Sequence, residues 1–158
     1  MYELVFDPTN TETLEQMRRI PAFSALDERL IAEVVRASKL RKYTSGEFVI
    51  KEGMYDHWVY FLIQGELSIT HHGVEVGQLR RLGDVFGEMG IIDGSARSAS
   101  VEALTPCLCL AMDGSILESP NIDKIALQAI FYRVFCEILA TRLREMDTRL
   151  AELSQRNC

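Results

Sequence analysis

The sequence predicts a mainly β domain, a sandwich or barrel, with helices at both ends. Three observations predict it. Between residues 39 and 114, short apolar runs alternate with turn residues every eight to twelve positions, the rhythm of an all-β sandwich or barrel. Before and after that stretch, apolar residues recur at helical spacing. The chain has 158 residues, 47% of them apolar, enough for one compact domain with an appended element but not for two domains.

The N-terminal part, residues 1–38, reads as helical. A short helix is expected over 10–20, opening after Asn10 or Thr11. Ser24-Ala25-Leu26-Asp27 reads as a capping-box-like start for a second helix running to about Ser38. Its apolar positions Leu26, Leu30, Ile31, Val34 and Val35 share one stripe. Strands follow at Phe48–Ile50, Trp58–Ile63, Leu67–Thr70, Val74–Leu79, Ser98–Ala103 and Pro106–Met112, punctuated by glycine turns such as Gln64-Gly65 and His72-Gly73. Residues 86–97 interrupt this rhythm with a glycine-flanked excursion, the kind of irregularity on which sites are built.

Residues 115–158 read as helical again, with Ser119 as cap and Pro120 in the first turn. Ile125, Ile130, Phe131, Val134, Phe135, Ile138 and Leu139 make a broad apolar face. From about residue 139 the pattern narrows: Leu139, Leu143, Met146, Leu150 and Leu153 follow a 4-3-4-3 spacing, the seam of a coiled coil, with Glu145 and Arg149 as a flanking i,i+4 pair. The first half of this helix is therefore expected to pack on the barrel and the second half on another helix, most simply that of a second copy in a parallel homodimer.

The formal net charge is −6, against the basic face of nucleic-acid binders, and no nucleic-acid partner is expected. No run of 18 apolar residues is present, so no membrane span is expected. The N-terminus lacks the basic start and apolar core of a secretory signal, so a cytoplasmic location is expected. Cys107, Cys109, Cys136 and Cys158 read as free thiols of a reducing compartment, with Cys107 and Cys109 on one strand face. Neither zinc spacing nor a catalytic signature is present, and no metal site or enzymatic activity is expected. His71-His72 reads as a solvated hairpin tip, and His57 stands alone.

The informative segment is Phe86-Gly87-Glu88-Met89-Gly90-Ile91-Ile92-Asp93-Gly94-Ser95-Ala96-Arg97-Ser98-Ala99-Ser100. A Gly-Glu pair opens a short helical run, and an Arg follows beyond a glycine turn. A helix start offers unpaired N–H groups to an anion, and Gly87 permits close backbone approach. Arg97 can grip phosphate oxygens through charge-assisted bonds. Glu88 can accept from a sugar hydroxyl. Together these suit a sugar phosphate with a single negative charge, a cyclic phosphodiester. The residues alone leave other readings open: Glu88 and Arg97 could pair with each other, and an Arg after a turn is commonly a solvated surface residue.

Gly83-Asp84-Val85-Phe86-Gly87-Glu88 through Arg97-Ser98-Ala99-Ser100 resembles the phosphate-binding cassette of the cyclic nucleotide-binding domain family. Ser45–Gly53 and Tyr60–Leu67 resemble its barrel signature of spaced glycines, and Ile20–Leu26 resembles its lead-in. The resemblance covers roughly residues 20–153. It implies a double-stranded β-helix (jelly-roll) barrel over 39–114, with the cassette at 86–100. It implies that Glu88 binds the ribose hydroxyl, Gly87 lends its backbone, Arg97 neutralises the cyclic phosphate and Ser98 adds a hydroxyl. Ile69, Met89 and Ala99 would be neighbours of the ligand. Arg142 would reach back from the long helix and pair with Glu88, and Met146 and Asp147 would face the base. Cyclic AMP is expected ahead of cyclic GMP as the ligand, with Asp147 and Ser98 also able to serve guanine. Two residues depart from the pattern: Ala96 stands where a proline often precedes the Arg, and Met146-Asp147 replaces hydroxyl residues. Bacterial activators of this family continue into a DNA-reading helix-turn-helix. None follows here before Cys158, so output is expected through the dimer or a protein effector. The alternative is a scaffold module that keeps the fold and binds no nucleotide.

Overall fold

The computed structural model describes residues 1–4, 7, 9–118 and 124–157. The chain opens on a strand, β1 (Tyr2–Leu4), so the N-terminal part is not wholly helical. Asn10 then caps α1 (Thr11–Arg18), its side chain accepting from the Glu12 N–H at 3.0 Å. The second helix, α2 (Glu28–Arg36), starts later than the sequence suggests. Its cap is Asp27, whose carboxylate accepts from the Leu30 N–H at 2.8 Å. Ser24 instead closes a 3-10 turn over Pro21–Phe23, donating its hydroxyl to the Pro21 carbonyl at 2.8 Å. The chain is still held in that turn at Leu26, whose N–H donates to Phe23.

The strands β2 (Ser38–Tyr43), β3 (Phe48–Ile50), β4 (Trp58–Gln64), β5 (Leu67–His71), β6 (Val74–Leu79), β7 (Val85–Phe86), β8 (Ser100–Ala103) and β9 (Cys107–Asp113) form two antiparallel sheets. One has the order β1-β2-β9-β4-β7 and the other β3-β8-β5-β6. The domain is a jelly-roll barrel, as expected.

Period-two alternation divides the apolar residues between two cores. On β4, Tyr60 and Leu62 face the barrel interior with Leu67, Val101, Cys109 and Ala111. Val59 and Phe61 face the opposite way, onto the helices. On β9, Cys107 and Cys109 point inward while Leu110 and Met112 point to the helical layer. Strands buried on both faces carry continuous apolar runs, and Trp58–Ile63 is such a run. Burial pushes the Cys107 and Cys109 thiols up, which keeps them protonated and unreactive.

The last helix, α4, runs from Ile125 to Arg156; the expected Ser119 cap and Pro120 lie outside the described residues. Its barrel-facing stripe is Leu127, Phe131 and Phe135, all fully buried, with Phe131 edge-on to both Phe23 and Phe61. Each such ring contributes about 1.5–3 kcal/mol by burial. Ile125 is exposed, contrary to its expected place on that face. Beyond Leu139 the apolar seam has no intramolecular cover: Leu143, Met146, Leu150 and Leu153 are all more than half exposed. Arg149 does not extend along its own helix toward Glu145; it turns to β6 and donates to the Val76 carbonyl.

Candidate functional site

Strand β7 places the cassette. Phe86 pairs with Tyr60 of β4, and the two rings stack with centroids 5.1 Å apart. The chain must then leave the sheet at once. Gly87 does this at φ +85° and serves as N-cap of the short helix α3 (Glu88–Asp93). A Cβ at Gly87 would lie 2.8 Å from Arg97 Nη1 and 2.9 Å from the Trp58 carbonyl oxygen, so glycine is required by both conformation and space. Gly94, at φ +67°, ends the helix by donating its N–H to the Gly90 carbonyl. Asp93 then accepts from the Ser95 N–H and hydroxyl, and this turn delivers the chain to Arg97. The backbone of Arg97 is fixed by bonds in both directions to Gly53 and Met54.

The Arg97 side chain points inward and is 3% exposed. Its guanidinium grips the Asp56 carboxylate through Nε at 3.2 Å and through Nη2. Nη2 also donates to the Trp58 carbonyl and Nη1 to the Gly87 carbonyl, each at 2.6 Å. Four of its five N–H donors are thereby committed, leaving one on Nη1. Asp56 is itself held by the Trp58 N–H at 3.0 Å. Arg97 thus has a protein counter-charge already, which the sequence reading did not assign. Asp56 is the residue that reading missed. It sits in a polar turn where an Asp is expected for local reasons alone, and nothing in its spacing marks it as a partner for a residue 41 positions away.

Glu88 is 1% exposed, and its Oε1 accepts from Arg142 Nη1 at 2.5 Å. Arg142 also donates to the Val85 carbonyl. The pairing of Glu88 with Arg142 is therefore present, and pairing of Glu88 with Arg97 is not. The two ion pairs flank a cavity of about 80 Å³ walled by Ile50, Ile69, Phe86 and Val101. Gly87, Glu88, Met89, Arg97, Ser98, Ala99 and Arg142 complete its lining. The structure brings together all of the expected site residues except two. Met146, 53% exposed, and Asp147 stand further along α4 and do not line the cavity, because the cavity ends at Arg142, one helical turn earlier. The Ser98 hydroxyl faces the Met89 sulfur at 3.7 Å, and the Ser98 carbonyl lies 2.6 Å from His71 Nδ1.

The profile of the cyclic nucleotide-binding domain matches residues 40–119, half of the chain. A cyclic nucleotide-gated potassium channel of Rhizobium etli is 33% identical over 107 residues, covering 65% of this chain and 29% of the channel. The cAMP-dependent protein kinase regulatory subunit of Emericella nidulans is 36% identical over 91 residues, covering 56% of this chain and 22% of that protein. The chain thus spans less than a third of the length of these curated relatives. A solved cyclic nucleotide-binding domain from Methylobacillus flagellatus superposes with a TM-score of 0.74 at 20% identity, covering 88% of this chain and 80% of that one; it supports the fold. The chain belongs to the cyclic nucleotide-binding domain family. Among the described residues no helix is long and apolar enough to cross a membrane.

Proposed function

We propose that this chain is a non-catalytic cytoplasmic receptor for a cyclic nucleotide, cyclic AMP ahead of cyclic GMP. It works as a homodimer joined through the second half of α4 and signals through that helix or to a protein effector. One observation carries this reading. A fully anchored guanidinium keeps a single donor unspent beside an apolar-walled cavity with a buried carboxylate at its rim. The remaining Nη1–H and the first-turn amides of α3, which have no intrahelical acceptor, suit the ring phosphate. Glu88 suits the ribose hydroxyl. Ser98 and Met89 stand at the mouth and Ile69 and Ala99 along the wall. No further cofactor enters this reading.

The cavity is small beside the roughly 300 Å³ and upward of ordinary small-molecule sites, and Arg142, reaching from α4 to Glu88, forms part of its wall. Ligand entry therefore displaces or re-aims Arg142. Arg142 is joined to the dimer seam by one continuous helix, so occupancy of the cavity is reported along α4. Met146 and Asp147 meet the base only if that segment moves inward. The same small volume favours a second reading, a scaffold module that binds no nucleotide.

A thermal-shift titration with each nucleotide separates the two readings. Ligand at a hundredfold excess over its dissociation constant adds about 2.7 kcal/mol of stability and raises the melting temperature. Cyclic AMP is expected to do so at lower concentration than cyclic GMP. Absence of any shift with either nucleotide at millimolar concentration would leave the scaffold.

A further inference from the structure

Successive residues of a strand point to opposite faces, so His71 and His72 at the end of β5 would ordinarily diverge. They do not. His72 has φ +49°, the single non-glycine residue at clearly positive φ among the described residues, a conformation that L-residues avoid. It turns the second imidazole back onto the first, with ring centroids 4.0 Å apart. Glu52 lies against both: its Oε1 is 3.2 Å from His71 Nδ1 and 3.6 Å from His72 Nδ1, and its Oε2 accepts from the His72 N–H at 3.0 Å. Glu52 is in turn placed by its own N–H, which donates to the Ser100 hydroxyl at 2.9 Å. One ligand atom from each of the three side chains lies within 4.8 Å of the other two.

We propose that Glu52, His71 and His72 form a binding site for a divalent transition cation of the zinc class. Two imidazole nitrogens and one carboxylate are a borderline donor set suited to Zn²⁺, Ni²⁺ or Cu²⁺. Mg²⁺ and Ca²⁺ prefer oxygen ligands. Three protein ligands leave the remaining positions to water. The two Nδ1 atoms are the nitrogens that face Glu52, so they are the ligand atoms of the site. His71 Nδ1 also lies 2.6 Å from the Ser98 carbonyl, a contact that coordination through Nδ1 replaces. The hairpin tip leaves the rings open to solvent, at 49% and 79% exposed, so a cation can reach them from bulk water. The proposal rests on this geometry and is independent of the nucleotide reading.

Calorimetric titration of the metal-stripped full chain with Zn²⁺ tests it. The expected result is one equivalent bound at micromolar concentration and no heat with Mg²⁺. His71→Ala and His72→Ala are each expected to weaken Zn²⁺ binding roughly tenfold or more, and Glu52→Gln by a similar factor. The metal-free melting temperature of the two histidine variants, altered only at an exposed tip, stays near that of the parent. Co²⁺ substitution is expected to give weak d–d absorption without thiolate charge-transfer bands. Unchanged Zn²⁺ affinity in the His71→Ala/His72→Ala double variant would overturn the site. So would thiolate bands, which would assign the metal to cysteine, or failure of the parent chain to bind Zn²⁺ below millimolar concentration.

Discussion

Two arginines border the cavity, and they are held in opposite ways. Arg97 comes from a strand-end segment pinned by backbone bonds on both sides. Its side chain is 3% exposed and makes four hydrogen bonds to three residues. Arg142 comes from a long helix. Its side chain is 29% exposed, and it donates to one carboxylate and one carbonyl. The first belongs to the wall of the barrel. In the proposed receptor the second would act as a latch, carried on a helix whose far half is largely exposed. A fixed anchor supplies affinity by pre-organisation, whereas a removable contact is where binding can be converted into movement.

The largest effect that sharpens this contrast is at the anchor. Arg97→Ala removes the guanidinium donor proposed for the phosphate and orphans Asp56 and the Gly87 and Trp58 carbonyls. Nucleotide affinity should fall on the order of a hundredfold, and stability by about 3 kcal/mol. Calorimetry and denaturant unfolding measure the two separately. Unchanged affinity in a folded variant would end the assignment of Arg97 as the phosphate residue.

The seam comes next. Leu143 and Leu150 are 62% and 64% exposed in one chain. Substituting both by Asp should weaken self-association roughly tenfold or more, seen by sedimentation velocity across a concentration series, with the melting temperature of the barrel nearly unchanged. A parent chain that is monomeric at every concentration would remove the dimer from the proposal.

The smallest effect is expected at the latch. Arg142→Ala should change nucleotide affinity by about tenfold or less, since ligand entry already displaces this side chain, and should instead cost stability by leaving the buried Glu88 carboxylate unpaired. A loss equal to that of Arg97→Ala would mean that both arginines are anchors, and the comparison would fail.

The β elements with strong alternation were legible in the sequence. Trp58–Gln64, Leu67–His71, Val74–Leu79 and Cys107–Asp113 lie where the apolar runs and glycine turns put them. Three strands were not anticipated. Ser38–Tyr43 carries charges on both of its faces, Lys39 and Arg41 on one and Lys42 on the other, which hides its period. Tyr2–Leu4 and Val85–Phe86 are too short for any period to register. The cassette was legible because a glycine at a forced left-handed turn and a charged residue at fixed spacing leave a trace in one dimension. Asp56 left none, since its partner is brought to it only by folding. The His71–His72 juxtaposition was hidden for a related reason: the rule for strands sends the two rings apart, and only the backbone turn at His72 reverses it.

The cancellation of charge around the cavity has a consequence for kinetics. Asp56 balances Arg97, and Glu88 balances Arg142, in a chain of net charge −6. An approaching monoanion therefore meets no attractive far field and must rely on random collision with the mouth. Its on-rate should sit at or below the unsteered range and rise modestly as salt screens the net negative charge.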